Sequence, residues 1–273
     1  MSEAVEKALA SARLDARDLD GLLAVPSLSH PHLMEAHYLA TKINLLPRRD
    51  FLVRTIDTGG AGPITALLEA KRMIEFETRE AVCVVAGDAV SSLGSEEFLR
   101  RADAGIGSSD LPSPVIPNGY SRITEWHMRK YGLTREQLAK VSVLMSHQAS
   151  RHPDAYGEKR HTLDEVLKSP QITPQINLLE CARRMDGAAA VIVASSRFLE
   201  KRGLLDGGNG GHGDVVLLAG GEASGPLFPP KIIDETMFSC EQAVRSAFTQ
   251  AQLRPDESKR GYTGAVEDRR ARW

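Results

Sequence analysis

Four short, almost wholly apolar runs punctuate the chain: Leu19 to Val25, Phe51 to Ile56, Ala81 to Ala86 and Ala188 to Ala194. A strand that is apolar on both sides has to be covered on both faces, and the cover has to come from the segments that connect the strands. Those segments carry helical periodicity. Val5, Leu9, Ala12 and Leu14 give an amphipathic opening, His32 to Lys42 is helix-like, and Ile64 to Glu77 spaces Ala66, Ala70 and Ile74 along one face. The alternation predicts a layered α/β/α fold with helices on both sides of a sheet, Pro26 ending the first strand.

From about Leu93 to Leu179 the pattern changes to helices and loops, with helices expected over Arg122 to Lys130, Arg135 to Ser150 and Leu163 to Lys168. This region reads as an inserted helical domain. Thr134 with Gln137 three residues on is a capping-box start for its second helix. Asp186-Gly187 is expected as the turn that introduces the strand Ala188 to Ala194, and its three consecutive alanines predict close approach to another backbone, with Asp186 and Gly187 in a structural, bracing role. A short helix around Phe198 to Arg202 and a break at Gly207 to Gly211 follow. A second α/β unit is then expected, with Asp214 to Ala219 as strand and Thr236 to Gln252 as helix. Arg254 to Trp273 offers almost nothing to bury and is expected to be disordered. The domains are therefore 1–92 with 180–206 returning to them, the helical domain 93–179, a partial second half 207–253, and a tail 254–273.

With 273 residues, 42% of them apolar, the chain can bury a substantial core in one large or two ordinary domains. Its 34 Lys and Arg against 36 Asp and Glu leave a net charge of -2, so neither nucleic acid nor an anionic membrane surface is indicated as a partner. Cys83, Cys181 and Cys240 are odd in number and widely spaced, which supports neither a disulfide framework nor a zinc site. Cys83 lies in an apolar run and is expected in the core. No run is long enough to span a membrane, and the opening Met1-Ser2-Glu3-Ala4 lacks the pattern of a secretory signal. An intracellular, cytoplasmic protein is the default, with mitochondrion and peroxisome left open.

The chemistry concentrates in Thr58-Gly59-Gly60-Ala61-Gly62, between the strand ending at Ile56 and the helix beginning near Pro63. Glycines permit φ > 0 and close backbone approach, and the helix aims unpaired N–H groups at whatever lies above the turn. Such a turn can polarise an oxygen but carries no nucleophile. A dinucleotide fingerprint is a weak alternative, because Thr65 stands where G-x-G-x-x-G needs its third glycine, and no Gly-Lys-Ser/Thr follows to make a phosphate loop. A tight structural connection is the plain alternative. His127, His147, His152 and His161 all fall in the helical region without metal-ligand spacing, and Ser146-His147 is no dyad, since neighbouring helical residues diverge.

Taken together, the glycine turn, the helix with Ala66, Ala70 and Ile74, the run Ala86-Gly87-Asp88-Ala89-Val90-Ser91, Tyr131-Gly132-Leu133-Thr134-Arg135-Glu136, and Asp186-Gly187-Ala188-Ala189-Ala190 resemble the thiolase superfamily, nearest its sterol-carrier-protein-x and lipid-transfer-protein-like branch. The resemblance implies two similar α/β halves, a helical loop domain, a homodimer or a heteromer with a homologue, and a coenzyme A thioester as substrate or ligand, with no other cofactor. In catalytically complete members a Cys at the start of the helix after the third core strand takes the acyl group. Here that position falls at Gly59 or Gly60, and alignment on Ala66, Ala70 and Ile74 favours Gly60.

Glycine cannot replace a thiolate that must attack and then leave. The resemblance therefore implies a thiolase-like acyltransferase relative without ordinary thiolysis. A retro-aldol type of carbon–carbon cleavage, as in branches that lack the Cys, needs only an acid or base and an oxyanion site. Gly59, Gly60, Ala61 and Gly62 would supply the oxyanion site, and Tyr120 is a candidate acid or base. Against the family pattern the chain reads as truncated at both ends, without the first strand and the C-terminal His and Cys motifs. A non-catalytic acyl-CoA-binding or regulatory subunit, paired with a full-length homologue or an oligonucleotide-binding-fold partner, is the alternative.

Overall fold

The computed structural model describes residues 1–104, 110–157, 159–204 and 215–254. The glycine break, the start of the strand expected from Asp214, and the tail from 255 onward lie outside the described residues. The chain divides into two compact units, one of 1–89, 186–224 and 238–273, the other of 90–185 and 225–237.

The first unit is built on a four-stranded sheet. Strands β1 (Gly21–Ala24), β2 (Leu52–Thr55), β3 (Ala81–Ala89) and β6 (Asp186–Ala194) lie in the order β2-β1-β3-β6. The first three are mutually parallel, with Leu22 beside Val53 and Cys83, and β6 runs antiparallel to β3 along its full length, from Ala81 opposite Ala194 to Ala89 opposite Asp186. Each parallel connection is a helix, α2 (Glu35–Lys42) between β1 and β2 and α3 (Gly62–Phe76) between β2 and β3.

Both faces are covered, as the apolar runs require. On one face α1 (Ser2–Ala12) and α2 set Val5, Leu9, Ala36 and Leu39 against Leu22, Ala24, Cys83 and Val85. On the other, Ala66, Ala70 and Met73 of α3 pack on Leu23, Val82 and Val84. Alternate residues of each strand thus feed opposite cores, which is why the strands read as continuous apolar runs rather than as alternation. Small side chains on α3 let the helix lie close to the sheet. Burying a side chain such as Leu22 or Leu23 contributes about 2 kcal/mol.

Several sequence expectations shift by a few residues. Strand β3 runs three residues past Ala86, and Asp186 and Gly187, expected in the turn before a strand, are the first two residues of β6. The reason is the long β3–β6 ladder, which extends pairing to Asp88 opposite Gly187. Gly87 permits it: a Cβ there would lie 2.5 Å from the Ala188 Cβ and 2.9 Å from its Cα. The predicted close approach of the alanine run is realised at this pair. Of the strand expected from Asp214 to Ala219, the described residues Val215 to Ala219 join no ladder, and Val215 is almost fully exposed. An apolar run becomes a strand only when a neighbouring edge pairs with it. The unit closes with α8 (Ser196–Lys201) and α9 (Cys240–Ala251), the latter shorter than the expected Thr236 to Gln252.

The second unit is mostly helical: α4 (Ser95–Ala104), α5 (Val115–Tyr131), α6 (Arg135–Ala149) and α7 (Leu163–Leu167), with a small hairpin of β4 (Gln171–Thr173) and β5 (Ile176–Asn177). The Thr134 and Gln137 capping box is formed, the Thr134 hydroxyl accepting from Gln137 N at 3.2 Å and the Gln137 side chain accepting from Thr134 N at 2.9 Å. Helix α5 begins seven residues before the expected Arg122, directly after Pro114. Among the described residues no helix is long and apolar enough to cross a membrane.

Candidate functional site

The glycine turn sits at the C-terminal end of β2. After Ile56 N donates to Ala24 O at 3.0 Å, the chain leaves the sheet and reverses over Asp57 to Ala61. Gly59 has φ +59°, a left-handed conformation that favours glycine, and its N–H donates to Asp57 Oδ1 at 3.2 Å. Gly62 N donates to Gly59 O at 3.0 Å, and Ile64 N and Thr65 N both donate to Ala61 O to start α3. Gly62 is buried, and a Cβ there would press 2.9 Å from Val25 Cγ1. Gly60 differs from both. Its φ is not left-handed, and a Cβ on it would meet nothing within 4 Å.

Thr58, Gly59, Gly60 and Ala61 are all exposed, so the turn presents backbone at the mouth of a fifteen-residue helix. Two hydroxyls flank it. Thr58 Oγ1 and Thr65 Oγ1 lie 2.9 Å apart. Nearby, Glu222 accepts from Arg72 Nη2 of α3 at 3.1 Å. The Thr65 hydroxyl first, and Arg72 after it, hold the Glu222 carboxyl below its usual range against a burial effect that acts the other way. Nothing in the sequence marks Glu222, because only the fold brings its segment back to α3.

The same end of the sheet holds a second polar cluster, where β1 and β3 end. Asp88 accepts from Leu28 N at 2.6 Å, Ser29 N at 3.0 Å, Ala89 N at 2.8 Å and the Ser27 hydroxyl at 3.0 Å. Burial raises its pKa, but these donors outweigh it and the carboxyl titrates below its ordinary value. Ser29 Oγ lies 3.1 Å from Ser27 Oγ and 3.1 Å from His30 Nδ1. A cleft of about 400 Å³ opens beside this cluster, lined also by Tyr38, Lys42 and the buried Glu35, whose Oε2 meets His32 Nδ1 at 3.2 Å.

None of the three cysteines belongs to the turn or to the Asp88 cluster, and Cys240 is exposed at the start of α9. Cys83 is fully buried in the core and its thiol is pushed up to about 12 by burial. Cys181 belongs to the second unit and is also raised, by burial and then by Glu180. Tyr120 stands on α5 of the second unit and is 62% exposed. Ser146 donates to Val143 O at 2.7 Å and accepts from His161 N at 2.9 Å, so its hydroxyl serves the local backbone rather than His147. Among the described residues no three His, Cys, Asp or Glu side chains gather to hold a metal ion.

No family model matches the chain. It is 38% identical over 93 residues to sterol carrier protein 2 of Bos taurus, a region covering 34% of this chain and 17% of that one. It is 34% identical over 146 residues to the acetyl-CoA acetyltransferase of Methanothermobacter thermautotrophicus, covering 52% of this chain and 36% of the relative. The acetyl-CoA acetyltransferase of Methanocaldococcus jannaschii is 30% identical over 207 residues, 71% of this chain and 50% of the relative. The chain thus spans half or less of the length of these relatives. Among solved structures, an "Ltp2-ChsH2(DUF35) aldolase" superposes with a TM-score of 0.70 at 18% identity, over 94% of this chain and 65% of that one. Human mitochondrial 3-ketoacyl-CoA thiolase in complex with CoA gives 0.64 at 17% identity, over 92% and 69%. The structural likeness establishes the shared fold, and the sequence relatives tie the family to acyl-CoA and lipid metabolism. With the sheet, the glycine turn into α3 and these relatives together, the chain belongs to the thiolase superfamily, in its sterol carrier protein and lipid-transfer branch.

Proposed function

We propose that this chain binds acyl-CoA in fatty acid or sterol side-chain metabolism and does not perform ordinary thiolysis. The observation that carries the proposal is the turn itself. Gly60 occupies the place that the family resemblance assigns to the nucleophilic Cys, and no other thiol lies in the turn. Without that thiolate an acyl-enzyme has no atom on which to form.

The turn keeps the other half of the chemistry. Of the N–H groups of Gly59 to Gly62, those of Gly59 and Gly62 are taken by Asp57 and by the Gly59 carbonyl, so those of Gly60 and Ala61, at the positive end of α3, would stabilise negative charge on a thioester oxygen. Cleavage of a carbon–carbon bond next to a thioester needs such an oxyanion site together with an acid or base, for which Tyr120 remains the sequence candidate. An aldolase-type lyase is the activity this set of groups favours, with the coenzyme A thioester as its only cofactor-like group. The fold likeness to the aldolase complex agrees with it at the level of architecture.

The test is direct. Purified protein incubated with 3-ketoacyl-CoA and free CoA should release no shortened acyl-CoA, while calorimetry with an acyl-CoA should show binding. Robust CoA-dependent cleavage, in a preparation free of contaminating thiolase, would overturn the proposal.

A subunit role is favoured by one observation. Strands β2 and β6 are the outer strands of the sheet, and much of β6, including Ala188 and Val191, is exposed. An apolar outer strand can pair with another chain. A homodimer or a heteromer with a homologue would use such an edge, and size-exclusion chromatography with mass measurement distinguishes them. A monomer with no affinity for acyl-CoA would remove this second reading.

A further inference from the structure

Among the described residues, three carboxylates in ion pairs have side chains less than a tenth exposed. Asp18, 7% exposed, meets the guanidinium of Arg202, and Glu180, 6% exposed, meets that of Arg135. Glu35, the most buried of them at 5%, meets only His32. A buried carboxylate needs a cation beside it, and a guanidinium is always charged whereas an imidazole is not. Glu35 also lines the cleft of about 400 Å³ beside the ends of β1 and β3.

The Glu35 carboxylate can only accept, so His32 Nδ1 donates to Glu35 Oε2, at 3.2 Å, and in the neutral ring His32 Nε2 is left as an acceptor. The His32 backbone N–H goes to the same Oε2, at 3.3 Å. Tyr38 holds the imidazole in place, stacked on it with 3.6 Å between ring centroids and 13° between planes. Glu35 Oε1 and His32 Nε2 bond to none of the described residues. Asp88 lines the cleft too, but its carboxylate is occupied by the donors of its own cluster. Seven residues after Glu35, Lys42 stands on the same face of α2, about 10 Å along the helix axis. It lines the cleft and pairs with no carboxylate among the described residues.

We propose that this cleft binds an extended ω-amino carboxylate, its ammonium on Glu35 Oε1 and His32 Nε2 and its carboxylate toward Lys42. Acceptors at one end of the α2 face and an ammonium at the other match a ligand charged at both ends. A simple anion meets the buried charge of Glu35, and a simple amine leaves Lys42 without a partner. Nothing in this depends on acyl-CoA binding at the glycine turn.

The experiment is calorimetric titration of the whole chain with 6-aminohexanoate, hexylamine and hexanoate. The amino acid should bind tightest, hexylamine about two- to fivefold more weakly for want of the exposed Lys42 pair, and hexanoate not measurably. Glu35→Gln keeps the side-chain volume, removes the charge and should weaken 6-aminohexanoate by about tenfold or more. Lys42→Met, at an exposed position, should bring 6-aminohexanoate and hexylamine to equal affinity. If Glu35→Gln fails to fold by its thermal midpoint, the wild-type series and Lys42→Met decide. The proposal is overturned if wild type binds neither amine, if hexanoate binds as well as hexylamine, if Lys42→Met leaves the preference intact, or if folded Glu35→Gln binds 6-aminohexanoate as wild type does.

Discussion

Two turns at the same end of one sheet are built in opposite ways. Where β1 and β3 end, Asp88 collects three backbone N–H groups and the Ser27 hydroxyl, and its charge is spent on tying two loops together. Where β2 ends, Thr58 to Ala61 place almost no side chain over the turn and leave backbone exposed. The first turn is full and the second is open. A carboxylate held below its usual pKa by donors from its own backbone is a poor base, while an open turn at a helix start is free to hold a ligand's oxygen. On the proposed reading, the turn with fewer polar side chains is the one that receives the acyl-CoA ligand.

The contrast can be broken most strongly at Asp88. Asp88→Ala leaves several donors without an acceptor and should cost about 3 kcal/mol in urea unfolding. Because the folded-state pKa of Asp88 lies below the unfolded value of about 3.9, its contribution is complete above about pH 4 and fades as pH falls through the lower folded value. The acid limb of the wild-type stability curve should therefore flatten in Asp88→Asn. If the limb is unchanged, other carboxylates govern acid unfolding.

Gly87→Ala comes next, since its Cβ would collide with Ala188 and with the Gly187 carbonyl at 3.0 Å. A loss of about 2 kcal/mol is expected, read from the thermal or urea midpoint. Ser27→Ala removes one donor from Asp88 and should cost about 1 kcal/mol. At the open turn, Gly60→Ala should be neutral to within about 0.5 kcal/mol, because space and backbone conformation both allow a Cβ. Gly60→Cys sharpens the comparison further. Its exposed thiol should react with iodoacetamide in the native state while Cys83, buried and raised to about 12, stays unlabelled. A destabilising Gly60→Ala would show that the turn is closed after all.

Much of the fold was legible because it depends on local pattern. The runs Phe51 to Ile56 and Ala81 to Ala86 mark strands covered on both sides, and Ala66 and Ala70 mark the face of α3 that meets the sheet. The Thr134 capping box lies within a few residues of its helix and needs nothing else. The glycine turn was visible for the same reason. The run Asp214 to Ala219 reads as a strand, yet its described residues Val215 to Ala219 join no ladder, because periodicity reports what a segment could pair with, not whether a partner edge exists. Helix α4 carries no such signal, its sequence Ser95 to Ala104 being charged and without a buried stripe.

What the sequence determined by itself is the layered architecture and a turn that holds no nucleophile, since apolar periodicity and residue identity are properties of neighbours along the chain. Tertiary structure alone decided that Asp88 is saturated by loops about sixty residues away, that Gly87 is compelled by Ala188 across the ladder, and that Glu222 comes back to Arg72 of α3. The physical reason is common to all three. Hydrogen bonds and steric contacts act over a few ångströms, and which residues come within that range is settled by how the sheet pairs and where the chain returns to it.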